Sequence, residues 1–436
     1  MRAGFGKADI TPAQGCLLNG FIARLSPSRG VDTPLSARAL CLEQGSRRAL
    51  VVGLDLLGIS PETADDLTAK ISHRTGIPES NVILACTHTH SGPVSARLRG
   101  LGRVDGKYLL YLETQVLTAA GDAARACARV DAGWGTATVA IGVNRREPAG
   151  DGSVKLGVNP DGPRDTKVRV LCLMGTGRPI LVFEHAAHPY CLGPDDFLIS
   201  ADFWGHAAAA LDKKGYDCLY LNGCAGNISP RRAFGGPAAA RLEGRRLARA
   251  VLRAAANARP EAAPKLAAGS RRISLAYDAM PPPAEIKAQL RQPDRTVRDE
   301  DRSQSLVRAR VRRAWREWLG ELTEALARGP LPPVPARVSL LRVGRGAFIF
   351  FPGEVFFEIG QGTAAALPAD PAAVAAYGHG YIGYVPSAEA YAEGGYEVNE
   401  SHRYVGLWRL HPDTGARFIK AAQDLWRELK RRPTAR

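Results

Sequence analysis

The residues of this sequence best placed to do chemistry are two histidines, His88 and His90, in the run Thr-His-Thr-His-Ser-Gly-Pro. They follow Val82–Cys86, a short apolar segment that predicts a buried strand ending at a Gly-Pro turn. Alternate side chains of an extended chain share a face, so we expect both imidazoles to point the same way. Neutral imidazole is a good ligand for zinc and related metals. The pair indicates either part of a metal site or two ordinary hydrogen-bonded histidines near a turn.

Two further candidates stand directly after apolar segments. His188 follows residues 180–183 and precedes a proline, and the end of a strand is where α/β folds bind their ligands. His185 competes for the same role, and one of the two is expected to bond only to backbone. Glu354 follows another apolar segment and a Pro-Gly turn. It is either a functional acid or a carboxylate that favours the start of a helix.

Three other sets of residues each have two interpretations. The tyrosines between residues 377 and 396 can ligate a metal or donate to an oxyanion, or they are half-buried core residues. Cys224, in Asn-Gly-Cys-Ala-Gly-Asn, is a candidate nucleophile or a structural cysteine in a turn. Asp202 either orients a ligand histidine or caps the helix that begins near it.

The segments that must position these residues alternate between strand-like and helix-like patterns. Strands are predicted at residues 49–57, 82–86, 133–143, 167–174, 179–183, 218–221, 338–343 and 347–351. Helices are predicted at residues 61–76, capped by Ser60, at about 108–130, from about 202, and at 242–259. This alternation predicts an α/β fold, with layered mixed sheets covered by helices.

Residues 284–329 have a different character, because they are rich in arginine and helical in pattern. Their large apolar side chains fall on one face of a helix: Trp315, Trp318, Leu319, Leu322 and Leu326. The pattern predicts an inserted helical hairpin rather than a separate domain. No linker composition divides the rest of the chain, so residues 1–436 are expected to form a single large domain.

Composition limits the class of protein. With 45 % hydrophobic and 23 % charged residues, the chain is typical of soluble proteins. No apolar run reaches the ~18–20 residues of a membrane helix. The amino terminus lacks the apolar stretch of a secretory signal, and eight cysteines without a Cys-x-x-Cys pair fit buried thiols. We therefore expect a cytoplasmic protein with no transmembrane segment.

The net charge of +15 raises the question of nucleic-acid binding. Many of the arginines alternate with alanine and glutamate on helical stretches, which is typical of a solvated helix face. No zinc-finger spacing and no repeat accompanies them. We predict no nucleic-acid partner, and the charge is instead expected to attract an anionic small-molecule substrate.

An ordered series of motifs resembles the catalytic domain of the neutral ceramidases. The motifs run in that family's order, from the first residues to about Tyr396. They are Gly-Phe-Gly-Lys-Ala-Asp-Ile-Thr-Pro at 4–12, Thr-His-Thr-His-Ser-Gly-Pro at 87–93, Asn-Arg-Arg at 144–146, His-Pro at 188–189, Ile-Ser-Ala-Asp-Phe at 199–203, Gly-Cys-Ala-Gly-Asn-Ile-Ser-Pro at 223–230, Pro-Gly-Glu at 352–354 and Gly-Tyr-Val at 383–385. The family's additional β-sandwich domain has no counterpart here, so the resemblance implies a short form.

The resemblance implies which residues do what. That family has a zinc site with two histidines, a glutamate and a tyrosine as ligands, and motif by motif these fall on His88, His188, Glu354 and Tyr384. His90 would then lie beside the metal as an acid/base or oxyanion group. By the same matching, Arg145 and Tyr396 line the site.

The activity that the resemblance implies is amide hydrolysis. Zinc lowers the pKa of a bound water from 15.7 to roughly 7, which makes it a nucleophile. His90, Arg145 and Tyr396 would stabilise the oxyanion, and no Gly-x-Ser-x-Gly motif supports a serine triad. The segment after the tyrosine motif departs from the family, so the expected substrate is small or N-acylated and not necessarily ceramide. The alternatives are a zinc-dependent esterase or lactonase and a non-catalytic binding protein.

Overall fold

Strands and helices alternate along the chain, in a computed structural model that describes residues 1–289 and 302–431. The strands are β1 (Arg2–Asp9), β2 (Gly30–Val31), β3 (Ser36–Gln44), β4 (Arg47–Leu54), β5 (Val82–Cys86), β6 (Ala128–Thr138), β7 (Gly142–Pro148), β8 (Val154–Asn159), β9 (Lys167–Gly175), β10 (Ile180–His185), β11 (Leu198–Ile199), β12 (Asp217–Asn222), β13 (Ile228–Pro230), β14 (Arg259–Pro260), β15 (Leu266–Leu275), β16 (Val334–Val343), β17 (Gly346–Phe350), β18 (Glu354–Val355), β19 (Ala372–Ala375) and β20 (Tyr384–Val385). The helices are α1 (Pro61–Thr75), α2 (Gly106–Arg125), α3 (Asp202–Asp212), α4 (Gly236–Asn257), α5 (Pro283–Gln289), α6 (Arg302–Ala327), α7 (Phe357–Ala366), α8 (Ala390–Glu393), α9 (Tyr396–Asn399) and α10 (Thr414–Arg431), with 3₁₀ turns at Glu79–Asn81 and Ser401–Arg403.

Two sheets carry most of the described strands. The larger has the strand order β12-β10-β9-β6-β1-β3-β4-β5, with β14 beside β6, and the smaller has the order β15-β16-β17-β19. Both are mixed: β4 with β5, β10 with β12, and β17 with β19 run parallel, whereas most other neighbours are antiparallel. The predicted layered mixed sheets are confirmed.

The two sheets are stacked face to face, with helices on their outer sides. Along β3, Leu40 and Leu42 face the smaller sheet, whereas Ala39 and Cys41 face the helices, which is the period of two expected of a pleated strand. Phe348 and Phe350 of β17 join the core between the sheets. Helices α1–α4 pack on the larger sheet, and α7 and α10 pack on the smaller one. The fold is therefore a four-layer α/β arrangement.

Several predicted boundaries are wrong; helix α4, for example, begins at Gly236 and not at residue 242. The helix predicted to reach residue 130 ends at Arg125, and β6 begins at Ala128. The predicted strand at 133–143 is divided between β6 and β7. Composition favours continued helix here, but pairing with β9 prevails. Gly133 and Gly135 allow β6 to pack this closely against β14 and α4, because a Cβ at either position would lie within 2.3 Å of their backbone.

Helix α1 confirms its predicted signals. The Ser60 hydroxyl accepts a hydrogen bond from the Thr63 amide at 3.2 Å, and Gly76 ends the helix with a φ of 67°.

The stretch predicted as a helical hairpin contains α5 and α6, with residues 290–301 outside the described part. On α6, Trp318 and Leu322 are buried in a separate apolar cluster. That this stretch is an insertion in a single domain stays a prediction. Among the described residues, no helix combines the length and the apolar character that crossing a membrane requires.

Candidate metal centre and active-site pocket

The candidate site lies where parallel strands of both sheets end. His88 follows β5, His188 follows β10, and Glu354 follows β17. The Cys86 amide donates a hydrogen bond to the Tyr377 carbonyl. Isolated β-bridges between the strand ends of one sheet and the segments that follow the strands of the other also hold these strand ends together. Strand ends at a change of connection are where α/β folds bind ligands, so the sequence places its histidines at the expected edge.

Three nitrogen atoms and one carboxylate oxygen meet at this edge. The Nε2 atoms of His88 and His188 lie 3.2 Å and 3.0 Å from the same oxygen, Oε2 of Glu354. His90 Nε2 lies 3.3 Å from His88 Nε2. All four side chains are buried. We call His88, His90, His188 and Glu354 the histidine centre; of these, the three histidines place their ligand atoms within 4.8 Å of one another.

The other ring nitrogen separates the three histidines into two kinds. Nδ1 of His88 donates to the Leu57 carbonyl at 2.7 Å, and Nδ1 of His188 donates to the Ile228 carbonyl at 3.2 Å. With the proton on Nδ1, Nε2 of each ring carries a lone pair that is directed at the centre. This is the usual arrangement of a metal-ligating histidine. Nδ1 of His90 is buried without a partner. His88 and His188 therefore have the ring orientation that a ligand would need, whereas no hydrogen bond fixes the tautomer of His90 at Nδ1.

The backbone at the centre is fitted closely. His88 has a φ of 67°, in the left-handed region that a non-glycine residue rarely adopts. Gly20, with a φ of 100°, packs directly on the His90 ring, where a Cβ would lie 2.6 Å from Cγ. Tyr377 stacks on His88 at 4.1 Å between ring centroids. The imidazoles are thus held in place by contacts rather than by solvent.

Charge at the centre follows from burial and from the short contacts. Burial favours the neutral acid at Glu354, but His88 and His188 outweigh it and hold the pKa of this carboxyl well below its ordinary value. Burial lowers the pKa of His188 to about 4. Burial, followed by its histidine neighbours, also lowers the pKa of His90 well below the ordinary value. The centre thus combines a carboxylate held in its ionised form with imidazole nitrogens, a donor set suited to a cation.

Tyr384 reaches the site through Arg145. Its backbone belongs to β20, which pairs with Glu354 of β18, and its hydroxyl accepts a hydrogen bond from Arg145 Nη2 at 2.8 Å. Arg145 is held in turn by Glu397, whose carboxylate accepts from Arg145 Nε at 2.9 Å. Tyr396 packs edge-on against Tyr384, with ring centroids 5.9 Å apart. The structure therefore brings all seven predicted site residues to one place.

An apolar pocket of about 210 Å³ opens onto the histidine centre. His88, His90 and Glu354 form its floor, and tyrosines line one side. The rest of its lining is mostly apolar: Phe21, Ile22, Leu57, Leu98, Leu101 and Val405. Small apolar pockets with a few convergent polar groups are typical of small-molecule sites.

Three sequence candidates lie outside the site. His185 donates its Nδ1 proton to the Lys167 carbonyl at 2.9 Å, but this nitrogen also lies 3.4 Å from the Asp165 carboxylate, so His185 does not bond only to backbone as expected. Cys224 is buried, and burial raises the pKa of its thiol well above the ordinary value, so it is no nucleophile. Asp202 accepts from the Leu192 and Phe203 amides and contacts neither ligand histidine. Asp202 is the first residue of α3, and the N-cap residue is Ala201 with no side-chain cap bond, so neither predicted role of Asp202 is observed.

Two solved structures with a similar overall fold are of ceramidases. The neutral ceramidase from Pseudomonas aeruginosa superposes with a TM-score of 0.72 and 20 % identity, over 99 % of this chain and 75 % of that one. A ceramidase complexed with C2 superposes with a TM-score of 0.74 and 19 % identity, over 100 % of this chain and 76 % of that one.

This chain has the neutral ceramidase fold. The ceramidase fold covers essentially all of it, as the motif series predicted. No protein-family model matches the sequence, and no curated protein matches it. Recognition from the sequence therefore depended on short motifs, most of which surround the site.

Two residues of the site were missed by the sequence reasoning. Tyr381 donates its hydroxyl proton to the other oxygen of Glu354, Oε1. Glu397 bonds both Arg145 and Arg146, at 2.9 Å and 3.0 Å. Tyr381 lies within the tyrosine-rich segment, which was a signal for it, whereas no local pattern indicated Glu397.

Proposed function

We propose that this protein is a zinc-dependent hydrolase that cleaves an amide bond of a small or N-acylated substrate. The observation that carries the proposal is the convergence of two lone-pair nitrogens, from His88 and His188, on one oxygen of the Glu354 carboxylate. Each ring donates its Nδ1 proton to a backbone carbonyl, so in the neutral form neither ring has a proton on Nε2 for that oxygen. A cation bound between these atoms would remove the repulsion between the nitrogen lone pairs and the carboxylate oxygen.

The donor set fits zinc. Imidazole nitrogen and carboxylate oxygen are among its preferred ligands, and bond lengths of about 2.0–2.2 Å place donors that share one ion slightly more than 3 Å apart. The observed separations of 3.0 and 3.2 Å agree. We propose His88, His188 and Glu354 as ligands with the Tyr384 hydroxyl as the fourth. When bound, zinc would act as a Lewis acid and lower the pKa of a water molecule.

The remaining residues would handle the proton and the developing charge. His90 lines the pocket floor with an unpartnered Nδ1, so we assign to it the protonation of the leaving amine. Arg145 directs a guanidinium proton at the Tyr384 hydroxyl, next to the pocket. We assign to Arg145 and Tyr396 the stabilisation of the oxyanion that forms when the carbonyl carbon becomes tetrahedral.

The same groups would also cleave an ester or a lactone, since the oxyanion is alike in all three reactions. A protein that binds its ligand without turnover is the other alternative. A panel of N-acyl amines, esters and lactones, offered to the zinc-loaded protein, separates these possibilities. We expect the amides to be hydrolysed.

The proposed location is the cytoplasm. All eight cysteines are free in the structure, and seven of them are buried. Unpaired buried thiols agree with a reducing compartment.

The direct test is metal analysis of protein purified without chelator. We expect one zinc per chain, and loss of both zinc and hydrolysis in His88→Ala. The exposed His73 provides the matched control, because His73→Ala removes an imidazole that lies on α1 away from the centre. A chain that stays metal-free after reconstitution with zinc, while correctly folded, would exclude the proposal.

A further inference from the structure

A second cavity, of about 380 Å³, lies beside the active-site pocket and shares Leu98 and Leu101 with it. It is enclosed by α6 and by residues 17–26 and 97–103. Among the described residues that line it are six arginines and one glutamate. They are Arg24, Arg97, Arg99, Arg103, Arg310, Arg313 and Glu317. We call this cavity the arginine cup.

Half of these arginines are paired with carboxylates. Arg313 donates to Glu317 at 2.9 Å, and Arg97 and Arg99 both donate to Glu321, at 2.7 Å and 3.1 Å. The other three have no hydrogen bond to any carboxylate of the described residues: Arg24, Arg103 and Arg310. Counted over the described residues, the cup therefore carries a surplus of positive charge next to the site.

Arg24 is the most informative of the three. It is only 5 % exposed, and its guanidinium donates to the carbonyls of Asn19, His90 and Gly193 at 2.6 to 3.0 Å. These acceptors are neutral, and its Nε is buried with no partner at all. Asp195 and Asp196 lie within range of its charge, but neither bonds it in the described structure. A buried cation with an unused N–H is costly unless an acceptor joins it.

We propose that the arginine cup binds an anionic group, a carboxylate or a phosphate, on the amide substrate; this inference rests on the function proposed above. The planar guanidinium matches both anions with two parallel hydrogen bonds. Arg24 connects the two cavities, because it donates to the carbonyl of His90 at 2.6 Å. A substrate with an apolar group in the pocket and an anion in the cup would place its amide at the histidine centre. N-acyl amino acids have this chemistry.

The test uses the zinc-loaded full chain and matched substrates. N-hexanoylglycine carries the anion, N-propylhexanamide is its neutral counterpart, and N-hexanoylphosphoethanolamine offers a phosphate instead. We expect kcat/KM to be about tenfold or more higher for an anionic substrate than for the neutral one, as for one charge-assisted hydrogen bond. The better of the two anions identifies the natural group.

Variants of the cup should remove this advantage through KM. Arg310→Gln and Arg103→Gln are each expected to reduce the ratio of kcat/KM for the anionic substrate to kcat/KM for the neutral one about tenfold. Arg103 forms no hydrogen bond in the described structure, so its variant should fold normally. Arg312→Gln is the matched control, because it removes an exposed arginine of α6 that does not line the cup.

Equal kcat/KM for anionic and neutral amides, or an unchanged preference in both cup variants, would overturn the inference and leave amide hydrolysis intact. Absence of hydrolysis of every amide would instead refute the proposed function. Calorimetric titration with inorganic phosphate then tests anion binding by the arginine cup independently of hydrolysis. Saturable binding that weakens about tenfold in Arg310→Gln supports it, and no binding, or binding that this variant does not change, overturns it.

Discussion

At the scale of single residues, two histidines that are only two positions apart in the sequence make different hydrogen bonds at the centre. His88 and His90 differ in what their Nδ1 atoms bond, not in how near they lie to the centre. A ligand needs a fixed tautomer, whereas an acid/base group needs a nitrogen that can gain and lose a proton. This contrast is testable because the two roles have different consequences for metal content.

We expect His90→Ala to keep its zinc and to lose activity, with kcat reduced about 10²- to 10⁴-fold, as for removal of a general acid. His188→Ala should lose both zinc and activity, since His188 Nε2 faces the Glu354 oxygen. Zinc content by atomic absorption and kcat on an N-acyl amide are the measurements. Loss of zinc from His90→Ala would mean that the three histidines are the ligands.

Glu397 provides a second prediction, for stability. It is 3 % exposed and is the carboxylate between two buried arginines, Arg145 and Arg146. Glu397→Gln leaves Arg145 buried without a carboxylate partner and removes one of the two carboxylates that bond Arg146, so we expect the free energy of unfolding to fall by about 3 kcal/mol. Glu393, which is 47 % exposed and bonds Arg146 at 2.9 Å, is the control. Glu393→Gln should cost less than about 1 kcal/mol, and urea unfolding measures both.

The site residues that the sequence predicts are those that follow an apolar strand directly. His88, His188 and Glu354 each end an apolar strand, so local pattern and position in the fold agree. Glu397 acts on Arg145 across 252 positions of the chain, and its role depends on two buried partners that no local pattern reveals. Contacts between distant segments are therefore what sequence reasoning lacked.

At the scale of elements, α6 is attached to the pocket by aromatic contacts. Trp318 of α6 stacks on Trp408 with an angle of 17° and packs edge-on against His402. Its indole nitrogen also donates to the Leu407 carbonyl at 2.6 Å. His402 follows Ser401, which lines the active-site pocket. The attachment of α6 thus supports one wall of that pocket.

His402 makes this attachment sensitive to pH. Burial, then the charges of Arg403 and Arg409, lower its pKa to about 3. The unfolded chain takes up this proton below about pH 6.5 and the folded protein does not, so folding stability falls as the pH falls. Between about pH 7 and about pH 5 this one group should cost about 2 kcal/mol.

The measurement is urea unfolding of the wild type and of His402→Phe at both pH values. We expect the variant to lose about 2 kcal/mol less than the wild type on acidification. His379 has a pKa similarly lowered to about 3 and remains in both proteins, so it serves as the internal reference. Identical losses in the two proteins would show that His402 is protonated in the folded state.

Elements were predicted best where caps and periodicity agree. Helix α1 has its Ser60 cap, its proline and its closing glycine, and its bounds were predicted within one residue. The end of α2 was wrong because residues 126–130 have helical composition, and only pairing with strands distant in sequence makes them β6. Tertiary pairing outweighs propensity at such boundaries.

At the scale of the molecule, the proposed zinc site joins the two sheets. His88 and His188 follow strands of the larger sheet, whereas Glu354 and Tyr384 follow strands of the smaller one. A metal that binds all four would connect the sheets at one edge. Because the unfolded chain has no such site, the proposed zinc would contribute to the stability of the whole fold.

Removal of zinc should therefore destabilise the entire protein. At a free zinc concentration one hundred times the dissociation constant, binding adds about 2.7 kcal/mol to the free energy of unfolding. We expect chelation to lower the melting temperature of the wild type, and added zinc to restore it. His88→Ala should melt at the same temperature with and without chelator, because it lacks the site. A wild-type melting temperature that is indifferent to chelator, in protein shown to contain zinc, would place the metal away from the junction of the sheets.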